Sequence, residues 1–200
     1  MKSNQFTAGL DEAGRGPLAG PVSASCVILP PDFPVEILND SKKLSEKKRD
    51  EAFAIITEKA CWGLALVDNK KIDEINILNA SLLAMKLAWE NMLSKLDDFV
   101  QKNNLVWNGD LSDIHCIADG LYIPQIASPC EAVVKADAKF CEVMAASIVA
   151  KVSRDRLMVQ YAKKYPQYGY EKHKGYPTPE HKKICRQIGP SPIQRLSFKY

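Results

Sequence analysis

The sequence predicts a mixed α/β fold, a sheet of short strands covered by helices. Two β-type runs stand together near the start, residues 6–10 and 22–29, separated by a Gly/Pro-rich turn. Further strand-like runs then alternate with segments of helical periodicity. Three apolar runs each end in an acid: LDEAGRGP at 10–17, IADG at 117–120 and VVKAD at 133–137. In α/β sheets, sites form just beyond the strand ends, where loops converge.

In chain order, the first two runs read as a hairpin or adjacent strands, the second closed by Pro30, Pro31 and Pro34. Ser45 is the natural N-cap of a helix over 46–58, although Lys48 stands where a capping-box acid would sit. Residues 61–67 read as a third strand. Asn79 or Ser81 is expected to open a longer helix to about residue 96, with Leu82, Met85, Leu87, Trp89 and Leu93 along one face. Residues 114–118 and 132–134 read as short buried strands, parted by a loop with Pro124 and Pro129. A strong helix follows over 141–164, and its small residues Ala145, Ala146, Ser147 and Ala150 suit close packing on a sheet. Thr178, Pro179 and Glu180 form the cap and first turn of a last helix to about 187, stopped by Gly189 and Pro190.

At 200 residues the expectation is one domain over 1–200, with a C-terminal helical region at about 165–200. The formal charge of +3 is too small to imply nucleic-acid binding by itself, but residues 161–174 and 181–200 concentrate cations and aromatics. Six cysteines show no CxxC or metal-type spacing and no signal peptide precedes them, so they read as buried thiols of a cytoplasmic protein. No apolar run approaches the ~20 residues of a membrane span. Monomer is the default state.

If the fold gathers the three acidic run ends, Asp11, Glu12, Asp119 and Asp137 form one carboxylate cluster. Two carboxylates ~4 Å apart repel by roughly 4 kcal/mol at an effective dielectric near 20. Such a cluster raises its own pKa values or recruits a divalent metal, and an oxygen-only donor set favours magnesium or manganese over zinc. An isolated Asp at a strand end is ordinarily a turn former, and Asp110 and Asp113 are rivals to Asp119. Two metals bridged by a carboxylate would hydrolyse a phosphodiester without a protein nucleophile. His115, His173 and His181 have no Ser or Cys neighbour arranged as a triad, which disfavours covalent hydrolysis.

Gly14, Arg15 and Gly16 follow the acidic pair directly, and would let backbone N–H groups approach a phosphate or sugar. The same stretch loosely fits a G-x-G-x-x-A dinucleotide fingerprint, but a β-like run follows where that motif needs a helix. Lys42 and Lys43, beside turn residues, are candidates to grip a phosphate. Tyr165, Tyr168, Tyr170 and Tyr176, interleaved with Lys172, His173 and Lys174, suit a groove that stacks bases and meets phosphates.

Taken in order, LDEAGRGPLAGPV, LNDSKKLSEKKR, IADG, VVKADAKF, EVMAASIVAKVSRD and PQYGYEKHKGYPT resemble bacterial ribonuclease HII over almost the whole chain. The resemblance implies a ribonuclease-H-like fold with a central five-stranded mixed sheet and a helical C-terminal part. It implies an endonuclease that cuts the RNA strand of RNA–DNA hybrids and cleaves 5′ of single ribonucleotides in duplex DNA, leaving 3′-hydroxyl and 5′-phosphate ends. By the same resemblance Asp11, Glu12, Asp119 and Asp137 are the catalytic, metal-binding acids, with Mn2+ or Mg2+ as cofactor. Gly14, Arg15 and Gly16 match the loop that senses the ribose 2′-hydroxyl, and Tyr176 the tyrosine that stacks on the adjoining deoxyribose. With only a short segment before Phe6 in this sequence, the resemblance is expected to be to ribonuclease HII rather than to the related ribonuclease HIII, which has a separate N-terminal domain. The polar residues over 106–113 and Ala136 in place of a frequent glycine depart from the family pattern. A non-catalytic hybrid-binding module is the alternative, which leaves the acids without a purpose.

Overall fold

The computed structural model describes residues 6–39, 41 and 44–199. Lys42 and Lys43 lie outside the described residues. A five-stranded sheet of order β3-β2-β1-β4-β5 forms the centre. β1 (Phe6–Ala13), β2 (Val22–Ile28) and β3 (Cys61–Val67) are antiparallel neighbours, whereas β4 (Ile114–Asp119) and β5 (Cys130–Val133) run parallel to β1. The mixed five-stranded sheet expected from the sequence is therefore present.

Alternation along the two central strands divides the interior into two layers. Phe6, Ala8 and Leu10 of β1 and Ala24, Cys26 and Ile28 of β2 face α2 (Asn69–Leu93). Val27 and the opposite face meet α1 (Glu46–Lys59) and α4 (Cys141–Lys164), where Ala145, Ala146 and Ile148 are buried. Both faces are covered, so β2 is buried along its whole length, Ser23 and Ser25 included. Each helix sits close because a glycine lies beneath it. A Cβ at Gly9 would fall 2.2 Å from the α4 backbone, and one at Gly63 would fall 2.0 Å from Ala88 O of α2.

The helix caps follow the sequence. Ser45 Oγ accepts from Lys48 N, and Thr178 Oγ1 accepts from His181 N at the start of α6 (Pro179–Ile188). The long middle helix departs from expectation. It begins at Asn69, capped by Asp68, and breaks at Asn76 (φ 66°), whose side chain then caps Asn79 N. The apolar pattern from Leu82 onward marks only the second half; the first, rich in charge, is held by the fully buried Ile72 and by contacts described below. The expected run to residue 96 instead stops near Ser94, and a separate α3 (Leu96–Lys102) follows. β1 extends beyond residue 10 to Ala13 because Asp11, Glu12 and Ala13 continue the pairing with β2. β5 starts two residues earlier than the sequence suggested.

The C-terminal region contains α5 (Tyr170–His173) and α6. Residues after Ile188 form an irregular tail that returns to the β1–β2 connection. Ala19 bridges Gln194 there, and Leu18 accepts from Arg195 N.

Candidate active site

Register brings the acids together. β1 and β4 are parallel with Leu10 opposite Ala118, so Asp11 and Asp119 follow at the same level on neighbouring strands. Asp119 pairs with Val133 of β5, and a left-handed residue at Lys135 (φ 57°) turns the chain so that Asp137 enters from a short 3-10 turn. Asp119 fixes that turn by accepting from Ala136 N at 2.7 Å. Carboxylate oxygens of Asp11, Asp119 and Asp137 lie within 4.8 Å of one another. Asp110, a sequence rival, is spent on capping a distant turn, where it accepts from Ser112 N at 2.9 Å.

Asp11 and Asp137 are buried, and the Asp11 carboxyl is flanked by negative groups. Burial first, then the charge of Glu12, pushes Asp11 well above the usual carboxylate range, against a hydrogen bond from the Ser147 hydroxyl. Burial also raises Glu12, opposed by Arg15 at 3.3 Å. Glu12 thus turns toward Arg15 and stands beside the three-acid group. Carboxylates gathered this closely are suited to a divalent cation, and their donors are all hard oxygens. The donor set therefore fits magnesium or manganese. His115 pairs with Glu131 at 3.0 Å, outside the group.

A cavity of about 240 Å³ joins Asp11 and Glu12 to the rest of the expected site. Asp11 and Glu12 form one wall, Gly14, Arg15 and Gly16 another, and Ser147, Lys151 and Tyr176 close it. The Tyr176 ring is 38% exposed and is overhung by Lys151 Nζ at 5.6 Å. Its backbone is pinned on both sides, accepting from His181 Nδ1 and donating to His173 O.

The family model for ribonuclease HII matches residues 8–200. The chain belongs to the ribonuclease HII family. A ribonuclease HII of Treponema denticola is 52% identical over 194 residues, 95% of this chain and 96% of that protein. One of Clostridioides difficile is 46% identical over 198 residues, 98% and 71% of the respective chains. The solved ribonuclease H2 of Pyrococcus horikoshii is 27% identical, with a TM-score of 0.66 over 97% of this chain and 94% of that one. As a ribonuclease HII family member the chain is an endoribonuclease with a ribonuclease-H-like fold.

Within this ribonuclease HII chain, the aromatic stretch divides differently from the sequence reading. Tyr168 and Tyr170 are core residues, stacked 5.6 Å apart, and His173 stacks on His181 at 4.3 Å. Burial lowers the pKa of both histidines, and His173, which the sequence grouped with the groove cations, packs in this buried pair. Tyr176 is the member that reaches the cavity. Ser147 and Lys151 were visible in the sequence only as positions of a helix, yet their i, i+4 spacing places both on the site face of α4. Ser147 touches both Asp11 and the Ser41 hydroxyl, the latter at 2.9 Å.

Proposed function

We propose that this endoribonuclease hydrolyses the RNA strand of RNA–DNA hybrids and cuts 5′ of single ribonucleotides in duplex DNA, leaving a 3′-hydroxyl and a 5′-phosphate. The observation that carries the reading is the shared cavity: Asp11, a member of the metal-type acid group, and the glycine-rich backbone loop line one cleft. Chemistry on a phosphodiester and recognition of a sugar need those two surfaces side by side. Only the 2′-hydroxyl distinguishes RNA from DNA at a single nucleotide.

Asp11, Asp119 and Asp137 would hold divalent metal, magnesium or manganese, with Glu12 at the edge of the group. When bound, such ions neutralise phosphate charge and make water a nucleophile near neutral pH in a two-metal hydrolysis. Ser147 keeps the Asp11 carboxyl oriented. Ala136 N does the same for Asp119. Lys151, ion-paired with Asp155 at 2.9 Å and facing the cavity, offers positive charge to the nucleic-acid backbone. Gly14, Arg15 and Gly16 would present backbone donors to the ribose, and Tyr176 its ring face to the neighbouring sugar. Lys42 and Lys43 are proposed phosphate contacts on the sequence alone. The six cysteines are unpaired, which supports a reducing, cytoplasmic setting.

The test is incubation of the purified protein with a labelled DNA duplex containing one ribonucleotide, in magnesium and separately in manganese, beside an all-DNA control. Metal-dependent cutting 5′ of the ribonucleotide alone is the expected result. A folded protein that binds the duplex in a salt-dependent manner and cuts nothing in either metal would establish a binding module instead.

A further inference from the structure

The loop that lines the cavity is held from behind by a buried guanidinium. Arg195 in the C-terminal tail is fully buried, and all of its side-chain hydrogen bonds go to backbone carbonyls of the β1–β2 connection. Nη2 donates to Gly14 O at 2.6 Å, Nη1 to Arg15 O at 3.0 Å and Nε to Gly20 O at 2.9 Å. Among the described residues no carboxylate forms an ion pair with it. An interior cation without a bonded anion is a costly choice. A planar fork of five donors can also grip several carbonyls at once in a fixed geometry.

The grip has a consequence across each peptide plane. In a trans peptide the carbonyl of one residue and the N–H of the next point in opposite directions. The chain has no cis peptide bond among the described residues. Holding Gly14 O and Arg15 O inward therefore turns the N–H groups of Arg15 and Gly16 away from the interior. Among the described residues neither N–H has an acceptor. Two free donors on a loop bordering the cavity are what a sugar hydroxyl requires.

The tail carrying Arg195 is itself fastened to the first half of α2. Asp73 accepts from Leu196 N and Ser197 N, both at 2.9 Å, and Asn69 Nδ2 donates to Gln194 O at 3.0 Å. These bonds bracket Arg195 on both sides. They also account for a charged, poorly patterned helical segment before the break at Asn76.

We propose that Arg195 is a positioning residue, through which the C-terminal tail and α2 set the orientation of the sugar-sensing loop and hence the selectivity for a single ribonucleotide. The inference rests on the proposed nuclease reading and adds a residue distant from the reacting atoms.

The experiment compares Arg195→Lys, Arg195→Met and Asp73→Asn with the parent protein on two substrates: a duplex with one ribonucleotide and a uniform RNA–DNA hybrid. A uniform hybrid offers a ribose at every register, so a loosened loop still finds one; a single ribonucleotide offers only one. Lysine keeps the charge but not the fork. In Arg195→Lys, kcat/KM on the single ribonucleotide should fall about 100-fold, against less than about tenfold on the hybrid, as expected when oriented donors are lost. The thermal shift induced by manganese should stay as in the parent, because the acids are untouched. Asp73→Asn, at the protein surface, should move the substrate ratio in the same direction by about threefold or more. Equal losses on both substrates, or an unchanged ratio, would overturn the inference. If the Arg195 variants do not fold, Asp73→Asn alone decides it, an unchanged ratio again being the overturning result. A parent protein that cuts neither substrate removes the nuclease reading itself, a failure visible before any variant is made.

Discussion

Gly14 and Gly16 stand two residues apart in one loop, yet alanine at each should fail in opposite ways. Gly14 has φ +95°, and a Cβ there would lie 2.1 Å from Nε and 2.4 Å from Cδ of Arg154. The left-handed backbone costs a non-glycine residue about 1–2 kcal/mol. Making room would also displace a buried guanidinium that donates to Pro21 O, Lys174 O and Ala19 O at 2.9–3.1 Å. Losing even one such charged hydrogen bond adds about 1.5–3 kcal/mol. Gly14→Ala should therefore lose about 3–5 kcal/mol, which at about 2–4 °C per kcal/mol is a fall in Tm of roughly 10 °C. Gly16 lies outside the left-handed region, and its Cβ would meet only Tyr176 Cε1, at an ordinary 3.8 Å. Gly16→Ala should leave Tm unchanged or raise it slightly, since alanine narrows the unfolded ensemble by about 0.4–1 kcal/mol. Its methyl group would nonetheless occupy the space between loop and tyrosine where the sugar is proposed to sit, so kcat/KM on a single-ribonucleotide duplex should fall by about 100-fold or more. Differential scanning calorimetry and the cleavage assay on both variants check this. Parent-like turnover in Gly16→Ala would refute the placement of the sugar, and parent-like Tm in Gly14→Ala would refute the packing argument.

Asp11→Asn should abolish cleavage while leaving hybrid binding largely intact, and in metal-free buffer it should raise Tm by several degrees. Ionised carboxylates within 4.8 Å of one another repel by about 3.5 kcal/mol or more at an effective dielectric of 20. A Tm below that of the metal-free parent would contradict the electrostatic account. Tyr176→Ala should weaken cleavage at a single ribonucleotide with Tm nearly unchanged, because the ring is partly exposed; equal activity would make the tyrosine structural. His173 and His181 have folded pKa values lowered by burial, so the unfolded chain takes up protons that the folded one refuses. Stability tied to them is present above about pH 6.5 and is lost as the pH falls through the window below it, by at most about 1.4 kcal/mol per pH unit for each group. Urea midpoints from pH 7.5 to 5 should show a shallower decline in His181→Gln than in the parent; identical slopes would refute the assignment.

The acids, the loop and Tyr176 were legible because each has a local signature: an acid ending an apolar run, glycines at a strand exit, an aromatic among cations. The strands and α4 were legible for the same reason, through apolar runs, breakers and small residues. What stayed hidden depends on contacts distant in sequence. Arg154 and Arg195 look like surface charges, Arg154 within a charged helical stretch and Arg195 in a short tail with Gln194 and Ser197 close by. Apart from Lys174 O, which Arg154 also reaches, their acceptors are backbone carbonyls more than a hundred residues away. Asp73 and Asn69 were passed over likewise, since their partners are amides and carbonyls of the tail. The tyrosines over 165–176 could not be sorted into core and cleft by composition, because stacking inside a core and stacking on a ligand ask for the same residue type.

The two surfaces of the site are aligned by one strand and one helix running side by side. A strand advances about 3.3 Å per residue and a helix about 1.5 Å. From Gly9 to Asp11 the strand covers ~6.6 Å, and from Val143 to Ser147 the helix covers ~6 Å; Gly9 packs against Val143, and Asp11 meets the Ser147 hydroxyl. From Gly9 to Gly14 is ~16 Å of strand and from Val143 to Arg154 ~16 Å of helix, and Gly14 packs on Arg154. The same pair of elements therefore fixes both Asp11 and the loop, with Lys151 and Tyr176 spanning the gap. On the proposed reading, the distance between the scissile phosphate and the sensed hydroxyl is chemically fixed, and so is this ruler. A flexible linker between acids and loop would let a deoxyribose register in either position, whereas a strand buried on both faces does not slide. Selectivity then follows from the backbone of β1 and α4 as much as from any group that touches the nucleic acid.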